Sequence, residues 1–184
     1  MFAPHTLKDR VAFITGGAGD IGFDIALAYG HMGAKVVIAS RNEERVKKAE
    51  AALRAQGIEA TAFVTDVRNF DQVKRSIDDT VAKYGALDIL VNNAAGNFHC
   101  PTAGLTPNGW KTVIDIDLNG TFWSCREFGR PMLERGRGSI VTVGSMSGVI
   151  SNKPQRQAHY NAAKAGVHHM TRSLAGEWAA RGVR

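Results

Sequence analysis

Cysteine is scarce in this chain, with only Cys100 and Cys125 among 184 residues. Two isolated thiols match no metal-ligand or redox spacing and build no disulfide framework, and they point to a reducing, cytoplasmic setting. Proline is also thin, with five residues. No run of about eighteen apolar residues occurs, so no membrane-spanning helix is expected. The opening MFAPHTLKDR lacks the apolar core of a secretory leader. No low-complexity tract, internal repeat or interdomain linker breaks the chain. Charge of one sign is not concentrated either. The net +6 is spread over 41–54, 126–137 and 172–184, which reads as solvated helix faces rather than a nucleic-acid track. The adjacent His168 and His169 offer no metal site, because neighbours on a helix diverge by about 100°. What remains is an ordinary soluble composition, 44% hydrophobic and 22% charged, and one domain over 1–184.

Glycine is plentiful, with twenty residues, and three of them carry a pattern. The apolar run VAFIT over 11–15 reads as a buried strand. It leads straight into GGAGDIG, and IALAYGHMG then carries apolar residues at helical spacing. Gly17, Gly19 and Gly22 thus satisfy G-x-G-x-x-G between a strand and a helix, the context a dinucleotide site requires. Such glycines let the backbone turn tightly and approach a pyrophosphate that faces the helix N-terminus. The next strand, KVVIA over 35–39, is expected to end beside the adenosine ribose. Ser40 and Arg41 stand there in place of an acid, which favours a 2′-phosphate and hence NADP(H), with NAD(H) possible. The plainer reading of Arg41, the solvated start of a helix, stays open.

Strands are expected over 60–64, 89–91 and 139–143, and helices over 42–56, 71–84, 107–116, 120–134 and 159–180. Apolar strands alternating with helices predict an α/β fold, a doubly wound parallel sheet covered on both faces. Within the last helix, Tyr160 and Lys164 lie four apart and share a face. An ammonium beside a phenol favours phenolate and tunes the tyrosine for proton transfer. A half-buried tyrosine next to a solvated lysine is the structural alternative.

These pieces in this order resemble the short-chain dehydrogenase/reductase family over essentially the whole chain. TGGAGDIG (15–22) looks like the family's TGxxxGxG turn, NNAAG (92–96) like its NNAG motif, and YNAAK (160–164) like its YxxxK motif. The resemblance implies that Tyr160 is the general acid/base and that Lys164 lowers its pKa and binds the nicotinamide ribose. It implies a serine polarising the substrate oxygen, with Ser145 the better match and Ser147 its near rival. Cofactor contacts are implied at Gly16, Gly17, Gly19, Asp20, Ile21, Ser40, Arg41, Asp66, Val67, Asn93, Ala94 and Gly96, with Asp66 at the adenine. Homodimers or homotetramers are implied through the helices over 120–134 and 159–180.

Three departures stand out. Asp20 replaces the turn's middle glycine; it is expected to cap the helix while bringing negative charge near a pyrophosphate. Asp117 replaces the active-site Asn, and is expected to hold a water or relay protons, or else to cap a helix or pair with a lysine. The sequence stops at GEWAARGVR, before the family's sixth strand, so the fold is expected to lack its last strands. Residues 92–122 look like the 2,4-dienoyl-CoA reductase branch, whereas 125–179 look like polyol and sugar-alcohol dehydrogenases. The leading expectation is an NADP(H)-dependent alcohol/ketone oxidoreductase acting on a polyol- or sugar-like compound. An enoyl- or dienoyl-CoA reductase, with Phe98 and Trp110 flanking an acyl chain, is the alternative enzyme. A dinucleotide-binding module without turnover is the third reading.

Overall fold

The computed structural model describes residues 5–184; Met1 to Pro4, part of the opening stretch read above for a leader, lie outside the described residues. The strands are Val11–Thr15 (β1), Lys35–Ser40 (β2), Ala60–Val64 (β3), Ile89–Asn92 (β4) and Ser139–Thr142 (β5). Among the described residues they form one parallel sheet of order β3-β2-β1-β4-β5. The order reverses between β1 and β4, which opens a crevice at their C-terminal ends.

Helices cover both faces because β1 and β2 are apolar at successive positions rather than alternate ones. On one side Ala12, Ile14, Val36 and Ile38 pack with Ala26 of Asp20–His31 (α1) and with Val46 and Leu53 of Glu43–Ala55 (α2). On the other, Val11, Phe13 and Val37 pack with Val73 and Ile77 of Phe70–Tyr84 (α3) and with Phe128 and Met132 of Gly120–Arg135 (α5). Phe13 meets Phe128 edge-on at 4.6 Å, a favoured aromatic geometry. The remaining helices are Pro107–Ile114 (α4) and Ala158–Trp178 (α6). No helix among the described residues is long and apolar enough to cross a membrane.

Two helix starts depart from expectation. Asp20 does not cap α1: Gly19 is the cap residue, with no side-chain hydrogen bond, and Asp20 is the first helical residue. Asp117 does not cap a helix either. The helix expected over 107–116 ends as α4 at Ile114 and continues as a single π turn, Asp115–Asn119, straight into α5. Thr121 Oγ1 donates to the Asp117 carbonyl at 2.6 Å, and Gly120 passes so close to Val67 that a Cβ would lie 2.8 Å from its methyl. The extra residue of the π turn re-aims the chain, a device frequent at functional sites. At the far edge, Val183 bridges Gly138 in parallel, and Ile140 N–H donates to the Arg184 carbonyl at 2.7 Å.

Candidate active site

At the C-terminal ends of β1, β2 and β4 lies a cleft of about 360 Å³. Its floor is the glycine turn. Gly16 has φ +66°, and Gly22 approaches it so closely that a Cβ on Gly22 would fall 2.4 Å from the Gly16 carbonyl oxygen. Gly17 is buried beneath the turn, where a Cβ would meet Ile38 at 2.6 Å, so it packs helix on strand rather than lining the cleft. Gly16, Gly19, Asp20 and Ile21 line one wall, and Ser40 and Arg41 the next. Asp66 and Val67, then Asn93, Ala94 and Gly96, close the other sides.

The asparagine motif is fastened to the turn. Thr15 Oγ1 accepts from the N–H groups of Asn93 and Ala94 at 3.0 and 3.1 Å. The Asn93 amide donates in turn to the carbonyls of Thr15 and Gly16. Asn93 therefore braces the turn as well as bordering the cleft. Asp66 is held by Arg68, whose Nε donates to both carboxylate oxygens at 2.9 and 3.0 Å; that bonding holds its pKa below the ordinary carboxylate value. The exposed cations in the wall are Arg41 and Arg45. Arg45 was not anticipated, because one position in a charged helix carries no distinguishing signal; only the turn that α2 makes over β2 brings it in.

Tyr160, Lys164 and Asp117 lie outside that cleft but join it through Gly96. Asp117, fully buried, accepts from the Gly96 N–H at 3.1 Å and faces the Lys164 ammonium at 3.5 Å. The lysine-partner reading of Asp117 thus matches the geometry. Burial raises the Asp117 pKa, against the opposing pull of the Gly96 bond and Lys164. Lys164, also buried, donates to the Val143 carbonyl at 3.0 Å and lies 5.6 Å from the centre of the half-buried Tyr160 ring. Tyr160 and Lys164 are thus one turn apart on α6, and Asp117 of the π turn links the ammonium to the cleft wall at Gly96.

The two serines differ. Ser147 is buried, and its hydroxyl accepts from Gln157 Nε2 at 3.0 Å. Ser145 is half-buried; its Oγ accepts from the Ser147 N–H at 3.1 Å, which leaves its own proton to donate. Gln157, missed in the sequence, is a buried hub that also donates to Asn161 and accepts from Asn97. It ties the loop after β4, the turn after β5 and α6 together. Phe98 packs on the buried His159 ring at 4.5 Å, and burial holds the His159 pKa down. Burial likewise pushes the Cys125 thiol up to about 11, which makes it a poor nucleophile.

The family profile described as short chain dehydrogenase matches residues 10–184. Galactitol 2-dehydrogenase of Rhizobium johnstonii is 42% identical over 179 residues, covering 97% of this chain and 69% of the relative. The peroxisomal 2,4-dienoyl-CoA reductase of Danio rerio is 40% identical, covering 100% of this chain and 61% of its own length. Among solved structures, gox2181 superposes with a TM-score of 0.95 at 44% identity, covering 97% of this chain and 70% of that one. A gluconate 5-dehydrogenase from Burkholderia cenocepacia, solved with NADP and tartrate, gives 0.91 at 33% identity, covering 97% and 69%.

Proposed function

The chain belongs to the short-chain dehydrogenase/reductase family, and on that premise we propose that it is an NADP(H)-dependent oxidoreductase of small polyol- or sugar-like alcohols and ketones. The observation that carries this reading is the buried Asp117–Lys164 pair, which joins Tyr160 to the cleft wall at Gly96. The glycine cradle fits a dinucleotide, since its close approaches leave room only for hydrogen at Gly16 and Gly22. The N-terminus of α1 and the guanidinium groups of Arg41 and Arg45 supply donors for phosphates. The NADP complex of the gluconate dehydrogenase supports the phosphate-bearing form. Asp20, in the same wall, sets a negative charge against the phosphates.

A bound nicotinamide dinucleotide supplies or accepts the hydride. The Ser145 hydroxyl donates a hydrogen bond to the substrate oxygen, where negative charge develops as a carbonyl is reduced, and keeps its own proton. Tyr160 delivers the proton that completes the alcohol, or removes it in the reverse direction. Lys164 keeps a positive charge beside the phenol while that proton moves. Asp117 holds the ammonium in place as its buried counter-ion. Tyr160→Phe should lower turnover by roughly 10²–10⁴-fold and leave NADPH binding nearly unchanged. Turnover that survives the substitution would remove Tyr160 from this role. No turnover in the parent chain with any alcohol or carbonyl would favour a binding module.

A second reading has its own support. Phe98 and Trp110 are 41% and 44% exposed, apolar surface suited to an acyl chain, and the dienoyl-CoA reductase similarity is nearly as high as the polyol one. NADPH oxidation by a dienoyl-CoA but not by a ketose would make this the function. As in the family generally, we place α5 and α6 at the contact of a homodimer or homotetramer.

A further inference from the structure

The Ser145 turn rests on a histidine. His168 follows Lys164 by one helical turn, so Tyr160, Lys164 and His168 form one stripe along α6. The His168 ring fills the hollow beneath the segment from Gly144 to Gly148. A Cβ on Gly144 would lie 2.5 Å from His168 Nε2, and one on Gly148 would lie 2.8 Å from its Cε1. Gly144 therefore needs glycine because the imidazole occupies the space, and Gly148 because the imidazole and the Lys164 backbone, also 2.8 Å away, close on it together. Between them, the Ser145 N–H donates to His168 Nε2 at 3.2 Å. His169, by contrast, is exposed.

We infer that His168 is a positioning residue, which sets the place of the Ser145 hydroxyl by accepting from the Ser145 backbone. The inference rests on the role proposed above for Ser145. A nitrogen that accepts a hydrogen bond carries no proton, so His168 must be the neutral tautomer with its proton on Nδ1. The Ser145 hydroxyl is then fixed from two sides: its N–H is anchored on α6, and its Oγ is held by the Ser147 N–H. One helix thereby carries the proton donor, its lysine and the support of the serine. Helix placement of such a support is more exact than loop placement.

Two measurements test this on the 184-residue chain, and neither requires turnover. In protein labelled with ¹⁵N-histidine, His168 is identified by the signal lost in His168→Gln. Its Nε2 should resonate as an unprotonated nitrogen. A proton on Nε2 would overturn the inference. In hydrogen exchange, the Ser145 amide should exchange roughly 2- to 12-fold faster in His168→Leu, the factor expected for one lost hydrogen bond. His168→Gln, whose amide oxygen can accept in the same place, should restore much of the protection. An unchanged Ser145 amide in His168→Leu would also overturn it. Where the parent turns over a carbonyl substrate, kcat should fall in the Leu variant and recover in the Gln variant, with NADPH affinity constant. Equal kcat in all three would remove the positioning role and leave the proposed reaction standing. An inactive parent with the expected tautomer and exchange would do the reverse.

Discussion

Two glycines three residues apart in one motif should fail in different ways when each is replaced by alanine. A Cβ at Gly22 lies 2.4 Å from the Gly16 carbonyl oxygen and 2.6 Å from Asn93 Nδ2, whereas ordinary contact begins near 3.4 Å. The first turn of α1 must therefore retreat by about 1 Å, as overpacking requires. Overpacking costs ~1–3 kcal/mol, and the better helix preference of alanine returns up to ~1 kcal/mol. The net loss should be ~1–2 kcal/mol in urea unfolding. The same retreat pulls the helix N-terminus from a bound phosphate, so NADPH affinity should fall roughly tenfold or more, the worth of one charge-assisted hydrogen bond. At Gly19 the nearest atom, again the Gly16 oxygen, is 3.4 Å away, and the extended backbone of the cap accepts alanine. Gly19→Ala should cost less, under ~1 kcal/mol for a cap that makes no side-chain bond, yet weaken NADPH, because the new methyl intrudes on the cleft. Fluorescence titration and urea unfolding of both variants separate the effects. Parallel losses of stability in the two, or a Gly22→Ala protein as stable as its parent, would refute the assignment of packing to one glycine and ligand approach to the other.

Asp117 gives two further predictions. Asp117→Ala leaves the buried Lys164 ammonium without its counter-ion and the Gly96 N–H without its acceptor, and should cost ~3–5 kcal/mol in urea unfolding. A loss under ~1 kcal/mol would mean that the pair is solvated. The pH dependence has a definite sign. Burial raises the Asp117 pKa in the folded state, so the folded protein holds this proton to higher pH than the unfolded chain. That contribution is present below the unfolded pKa of about 4 and is lost as pH rises through the folded value. The parent should therefore lose stability relative to Asp117→Asn on going from about pH 4 to about pH 7; parallel profiles would contradict the raised pKa.

The central strands were legible because they are buried on both faces. β1 and β3 have the ends their apolar runs predict, and β2, β4 and β5 differ by one residue. The cleft was legible for a related reason: the glycine turn, the Ser40–Arg41 pair and the NNAAG motif are local patterns at strand ends. What escaped depends on contacts between distant segments. Periodicity cannot distinguish an α turn from the π turn at Asp115–Asn119, so Asp117 could be read as a cap when it points inward at Gly96. Asp20 looked like a cap from residue type alone, although Gly19 holds that place. Gln157 and His168 gave no signal, since their partners lie ten and twenty-three residues away. Arg45 became part of the cleft only through the packing of α2.

The most direct test of the account is a fluorescence titration of this chain with NADPH and NADH, repeated for Arg41→Ala. The parent should bind NADPH more tightly than NADH, and loss of Arg41 should weaken NADPH by roughly tenfold or more while leaving NADH nearly unchanged. Binding of neither nucleotide by the parent would contradict the claim that the cleft between β1, β2 and β4 is a working dinucleotide site.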